Sequence, residues 1–407
     1  MPQENPYRSE FPAVVNHPEI IFFDNSATTQ KLNSVIRRVN NLWENGITAV
    51  GRSSGKLARE QMQLAHDSQK QIAQFFGATA EELIVTPSAT LGLNLVAQNL
   101  SALVADDEKI VLASNNHHSN IAPWIKQKPT QILWASFSES GKLDVKKLHQ
   151  ILSKEKVRVL SITLVSNVLG VKEDLSVIEN MVQRFNQKRQ RKIFLVVDAA
   201  AAMLDQKINW RKITTDIMIL SGHKMYAPAI AGVLVRRELL QSGDFSPVWS
   251  GGGMLKSLNL AQEIVWAELL EQRWRPGVID LVSLVAWAQA CTWLSENFVD
   301  KQKYLFNLTQ ELIDGLQEIS GIQLLGGRKK THLVSFWWPN FATVDVMAYL
   351  SSQNILAREG YHCCQPLHET LGLTGSVRLS LAHYNTSAEV AKVLQILRQV
   401  PQVLWQR

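Results

Sequence analysis

Cysteine is scarce in this chain. Only Cys291, Cys363 and Cys364 occur among 407 residues. Three cysteines cannot build a disulfide framework, which excludes a small cystine-stapled scaffold. Long hydrophobic runs are missing too: none reaches the roughly 18 residues of a membrane-spanning helix. The opening residues Met1-Pro2-Gln3-Glu4-Asn5-Pro6 are polar and lack a basic-then-apolar leader pattern. The expected setting is therefore cytoplasmic, with no membrane partner. A strong excess of one charge is also absent, the formal balance being +6. The densest basic run is Lys188-Arg189-Gln190-Arg191-Lys192, without interleaved aromatics. It reads as a solvated helix end and not as a nucleic-acid surface. There is no internal repeat, no low-complexity tract and no metal-ligand spacing.

What is present describes a large globular core, with 46% hydrophobic and 19% charged residues. Strand-like apolar runs fall at Lys109–Ala113, Ile132–Ser136, Val157–Val165, Lys192–Val197, Ile217–Leu220 and Gly232–Val235. Helical patterns at Val145–Leu152 and Leu175–Asn186 separate several of them. This alternation predicts an α/β layer with a mostly parallel sheet. Helices are expected at Val35–Glu44, Ala58–Phe76 and Leu281–Asn297. Further strands (His332–Trp337, Ile355–Arg358, Val377–Leu381) and helices (Val344–Ser351, Ala388–Gln399) predict a small α+β unit. The expected division is an N-terminal segment 1–30, a large domain 31–280 and a small C-terminal domain 281–407. The N-terminal segment is free to pack on either.

The chemistry concentrates at two strand ends. Asp198 closes Ile193-Phe194-Leu195-Val196-Val197, and Ser221-Gly222-His223-Lys224 follows Ile217-Met218-Ile219-Leu220. Ligands of such folds sit at the carboxyl ends of strands. A hydroxyl, an imidazole and an amine in one short loop suit a phosphorylated aldehyde, the amine forming a Schiff base. A carboxylate from the next strand suits a protonated pyridine nitrogen. Together they point to pyridoxal 5'-phosphate (PLP). A surface lysine in a turn is the ordinary reading of Ser-Gly-His-Lys alone; Asp198 argues against it.

With these residues in place, the chain resembles the class V aminotransferase-like, fold-type I PLP enzymes, and more narrowly the cysteine desulfurase/selenocysteine lyase family. The resemblance rests on Phe23-Asp24-Asn25-Ser26-Ala27-Thr28-Thr29, Asn116-His117-His118-Ser119-Asn120 and Val165-Ser166-Asn167-Val168-Leu169-Gly170. It also rests on Asp198, Ser221–Lys224, Arg358-Glu359-Gly360-Tyr361-His362-Cys363-Cys364 and Val377-Arg378-Leu379-Ser380-Leu381. They occur in family order. The resemblance implies a large domain with a seven-stranded-type sheet and a small domain carrying the cysteine loop. It implies Lys224 as the Schiff-base lysine, Asp198 at the pyridine nitrogen and His117 on the ring. Ala89, Thr90, Ser221 and His223 would serve the phosphate. Asn167, Arg358 and Arg378 would bind the substrate, and Cys363 would be the nucleophile. The implied reaction converts L-cysteine to L-alanine and leaves a persulfide on Cys363. The implied partners are a second copy of the chain and a sulfur-acceptor protein, as in iron–sulfur cluster assembly. The alternatives are a cysteine or cystine lyase without a protein persulfide, and a non-catalytic paralogue that regulates sulfur transfer.

A thiolate is the reactive form of cysteine, so a neighbouring cation would help Cys363; Arg358 and His362 are near in sequence. Cys291 reads as core. Cys364 either resolves a persulfide or fills space. The chain departs from the family at Ala89, where a hydroxyl is expected, at Ala201, where a glutamine is expected, and at Val278, where a threonine is expected. A histidine is missing near Val50-Gly51-Arg52, and the loop Ala227–Gly232 is altered. Losing two phosphate contacts and one ring contact is expected to weaken cofactor binding by about 3–6 kcal/mol.

Overall fold

The computed structural model describes residues 5–51, 53–328 and 330–404; Arg52 lies outside them. Seven strands form the main sheet, in the order Leu83–Thr86, Ala231–Val235, Ile217–Ser221, Phe194–Asp198, Val157–Thr163, Lys109–Ala113 and Ile132–Ala135. Only Ala231–Val235 runs against its neighbours. Central strands of such a sheet are buried on both faces, so they read as unbroken apolar runs. All seven residues of Val157–Thr163 are buried. The expected strands match to within about two residues. Leu83–Thr86 was not anticipated, because four residues are too few to show a period.

Alternation along each strand divides the sheet between two cores. Leu160, Leu195, Val197, Met218 and Leu220 face one core, with Ile72, Ile178 and Trp287. Val159, Phe194, Val196, Ile217 and Ile219 face the other, with Leu93, Val96 and Trp124. The second core lies under the helix Ala89–Ala102. By the same alternation Asp198 and Ser221 point to that helix's side of the sheet. The helix Leu281–Ser295 packs on Asn33–Glu44 and Lys56–Phe75 and supplies Trp287. Truncating one such core residue, Leu195→Ala for example, would cost about 2–5 kcal/mol.

A second sheet is antiparallel, in the order Gln323–Leu324, Leu333–Trp337, Ser376–Ser380 and Arg358–Gly360. The expected strand Ile355–Arg358 is two pieces. Ile355–Leu356 pairs with Ile21–Phe22, and Arg358–Gly360 joins the four-stranded sheet. The helix Phe298–Gln317, absent from the sequence expectation, packs on the C-terminal helix Ser387–Leu404. The N-terminal segment docks on this part of the molecule. Arg8 Nη1 meets Glu389 Oε1 at 2.7 Å, and Asn5 Nδ2 donates to the carbonyls of His383 and Asn385.

The basic run of 188–192 is structural. Arg189 donates to the carbonyls of Leu152, Glu155 and Val157, Arg191 to that of Leu103, and Lys192 pairs with Asp216 at 2.8 Å. Among the described residues no helix is long and apolar enough to cross a membrane.

Candidate active site

All eleven residues singled out from sequence line one cavity of about 260 Å³: Ala89, Thr90, His117, Asn167, Asp198, Ser221, His223, Lys224, Arg358, Cys363 and Arg378. The strand ends make its back wall. In the sheet register Asp198 sits opposite Ile219, and Lys224 emerges five residues later from the turn Gly222–Lys224. That turn needs glycine. Gly222 N–H donates to the Ile230 carbonyl at 2.8 Å, and a Cβ there would lie 2.7 Å from the Ile230 side chain. The spacing of Ser-Gly-His-Lys is thus a packing requirement as well as a chemical one.

Electrostatics favour a loaded lysine. Burial lowers Lys224 to about 8; Asp198 opposes that shift, while Arg378 adds to it. Burial raises Asp198 above the usual carboxylate range, against an N–H from Ala200 at 2.9 Å and the charge of Lys224. The two make no direct ion pair, so both have capacity for a third group between them.

His117 is lowered to about 3, mainly by burial and then by Lys224, so it is neutral at physiological pH. Its Nδ1 accepts from the Ser119 N–H at 3.1 Å, which leaves the proton on Nε2. The Ser119 hydroxyl lies 3.1 Å from the same nitrogen and 2.8 Å from Thr90 Oγ1. Ser119 also lines the cavity, and sequence reading missed it. Its signal was available: it stands inside the quoted histidine motif.

The residues fit the implied cofactor. Ser221 Oγ is buried without a partner. The helix Ala89–Ala102 begins at the cavity, and Ser88 caps it by accepting from Leu91 N–H. The first backbone N–H groups of that helix have no intrahelical partner and suit a phosphate. The departures at Ala89 and Ala201 lie in the same cavity, while Val278 is exposed and does not line it.

The front wall is a strained loop. His362 and Cys363 have φ of 50° and 55°, the left-handed region that non-glycine residues avoid. Hydrogen bonds hold it there. His118 N–H donates to the Cys363 carbonyl at 2.6 Å, and Asn167 Nδ2 donates to the His362 carbonyl at 2.8 Å. Cys363 is exposed. His362 does not provide the anticipated cation. It is buried against Ser376 and lowered to about 2, chiefly by burial, so it is neutral. The positive charge here comes from Arg358 and Arg378. Cys364 turns away into a cluster with Val168, Leu169 and Leu367. Its thiol donates to the Asn116 carbonyl, and burial pushes it up to about 12. That is the space-filling reading.

The chain is similar to known proteins over nearly its whole length. The family model described as Aminotransferase class-V matches residues 21–393. A probable cysteine desulfurase of Vibrio cholerae is 28% identical over 408 residues, covering 98% of each chain. The apo structure of a cysteine desulfurase from Thermococcus onnurineus superposes with a TM-score of 0.89 at 25% identity, covering 99% of this chain and 98% of that one. A C-DES mutant with glycine covalently linked to the PLP cofactor superposes with a TM-score of 0.81 at 17% identity, covering 97% and 99%. These likenesses give the fold-type I architecture, whose cofactor in this family is PLP. From the shared fold and the match across 21–393, the chain belongs to the class V aminotransferase family.

Proposed function

We propose that the protein is a PLP-dependent L-cysteine desulfurase that forms L-alanine and a persulfide on Cys363. The observation that carries this reading is one cavity holding an amine, a carboxylate and an exposed cysteine, Lys224, Asp198 and Cys363. PLP, when bound, supplies an electron sink for the pair released from the substrate's α carbon. Lys224 would hold the cofactor, and its amine, lowered to about 8, suits the transfer of that α proton at neutral pH. Asp198, at full burial, would hold a proton on the ring nitrogen. Ser221, His223, Thr90 and the backbone at Ala89 would hold the phosphate. His117 would lie on the ring as a neutral imidazole and present Nε2–H.

Arg378 and Arg358 would bind the substrate carboxylate, with Asn167 setting the distance between the loop and the back wall. The Cys363 sulfur then attacks the sulfur of cysteine. The S–S bond forms as the substrate C–S bond breaks, and a proton completes alanine. A cysteine inside the cavity favours this route over release of free sulfur.

We further propose that the protein works as a homodimer. The hairpin Leu255–Leu258 and Ile264–Trp266 exposes Leu258, Leu260, Ile264 and Val265, an apolar surface suited to a second copy. The exposed Cys363 loop suits a sulfur-acceptor protein. Residues 31–280 and 281–407 would act as two units after the segment 1–30. The helix Leu281–Ser295 would join them, since it packs on the first while the chain continues into the second.

Holoenzyme mixed with L-cysteine tests the function. The expected result is alanine in step with sulfide under a thiol reductant, and one added sulfur on the Cys363 peptide by mass spectrometry. Alanine without that adduct in the wild type, and at an equal rate in Cys363→Ser, would overturn the reading.

A further inference from the structure

The hydroxyls that line the cavity are those of Ser26, Ser88, Thr90, Ser119, Thr163 and Ser221. Several are committed elsewhere. Ser88 Oγ caps the helix Ala89–Ala102 by accepting from Leu91 N–H. Thr163 donates to the Val165 carbonyl at 2.9 Å, and Ser26 Oγ lies 3.4 Å from His332 Nε2. Ser221 Oγ is fully buried without a partner. Thr90 and Ser119 have each other, their oxygens 2.8 Å apart at the first turn of the helix. Position 89, next to Thr90, offers only a methyl group.

Ser119 is held where it stands. It belongs to the turn His118–Asn120, and the buried Asn120 anchors that turn. Asn120 Oδ1 accepts from Ser161 Oγ at 2.6 Å and from Trp124 Nε1 at 3.3 Å. His117 Nδ1 already takes the Ser119 N–H, so the imidazole does not need the hydroxyl as well. A hydroxyl has one proton to give. Facing each other, Thr90 and Ser119 spend one of their two protons between them. An anion over the helix start draws both outward, beside the backbone N–H groups there.

We propose that Ser119 holds the cofactor's phosphate together with Thr90, in place of the hydroxyl that Ala89 lacks. The inference rests on the PLP reading above and adds the residue that makes up for the loss at position 89.

The test titrates protein stripped of its cofactor with PLP and with pyridoxal, which has the same ring and aldehyde but no phosphate. The visible band reports capture by Lys224. Ser119→Ala should weaken PLP about 10- to 100-fold, the size of one hydrogen bond to a charged group, and leave pyridoxal unchanged. Adding Ala89→Ser to that variant should recover most of the loss. Unchanged PLP affinity in Ser119→Ala overturns the proposal. So does an equal fall for PLP and pyridoxal, which would place the effect on the ring or on the fold. No recovery with Ala89→Ser overturns the exchange between the two positions. Should wild type take PLP no better than pyridoxal, the phosphate reading of the cavity fails, and this inference with it.

Discussion

Asp198, Ser221 and Lys224 stand on the ends of strands buried on both faces. Arg358, Cys363 and Arg378 stand on a small antiparallel sheet and the loop that leaves it. The back wall is fixed by the packing of two cores. The front wall is held by a few hydrogen bonds against unfavourable backbone angles. This difference bears on the two departures that fall inside the cavity. Ala89 and Ala201 are back-wall losses; at Ala89 the helix N–H groups and neighbouring hydroxyls share the lost task of holding a phosphate. The front wall has no such reserve, and its side chains match the family motif.

The comparison predicts that variants at the back abolish loading, whereas variants at the front abolish turnover and leave loading intact. Lys224→Ala should show the largest effect. Borohydride should trap no cofactor on the protein, and alanine formation should fall by about 10³-fold or more. Cys363→Ser should lose turnover on a similar scale, about 10³-fold, while its visible band and cofactor content match wild type. Loss of the band in Cys363→Ser would break the distinction between the walls.

Asp198→Asn is the intermediate case. Removing a buried charge from opposite a cationic ring should weaken cofactor affinity by about 100-fold, near 3 kcal/mol, measured by equilibrium titration of cofactor-free protein. Lys224 supplies a pH test of the same wall. Burial lowers it to about 8, so its neutral fraction rises tenfold per pH unit below that value and levels off above it. The rate of cofactor capture should follow that curve, with no further rise toward the ordinary lysine range. The unfolded lysine keeps its proton to higher pH, so this group makes stability rise with pH from about 8 to about 10.5.

The two walls also differ in how far they could be read from sequence. Asp198 and Lys224 were legible because each follows a run of apolar residues, and a buried strand followed by a polar group marks a ligand-binding end. Cys363 was legible only through its resemblance, since a lone cysteine in a loop has no periodicity. The pairing of Asp24 with Arg358 and Arg378 was not legible at all. Those partners are 334 and 354 residues apart, joined by a strand bridge that no local pattern announces. His362 misled for a related reason: sequence gives its proximity to Cys363 but not its burial against Ser376. In the fold, the helix Phe298–Gln317 was missed although it is long. It follows directly on Leu281–Ser295, and the break at Asn297, with φ of 50°, carries no proline or glycine.

Cys364 gives the smallest and most discriminating test, because it adjoins the proposed nucleophile Cys363 and belongs to neither wall. Its thiol lies among Val168, Leu169 and Leu367, raised by burial to about 12, and it faces the Asn116 carbonyl. A thiol held protonated and pointing away from the cavity cannot attack a persulfide on Cys363. It can only pack. Cys364→Ala should therefore cost about 1 kcal/mol of stability, a small cavity and one weak hydrogen bond, seen as a shift in the urea midpoint. Persulfide yield on Cys363 and its transfer to an added thiol should stay unchanged. If the yield or transfer changes while stability does not, Cys364 belongs to the chemistry, and the loop must open far enough to turn that side chain into the pocket.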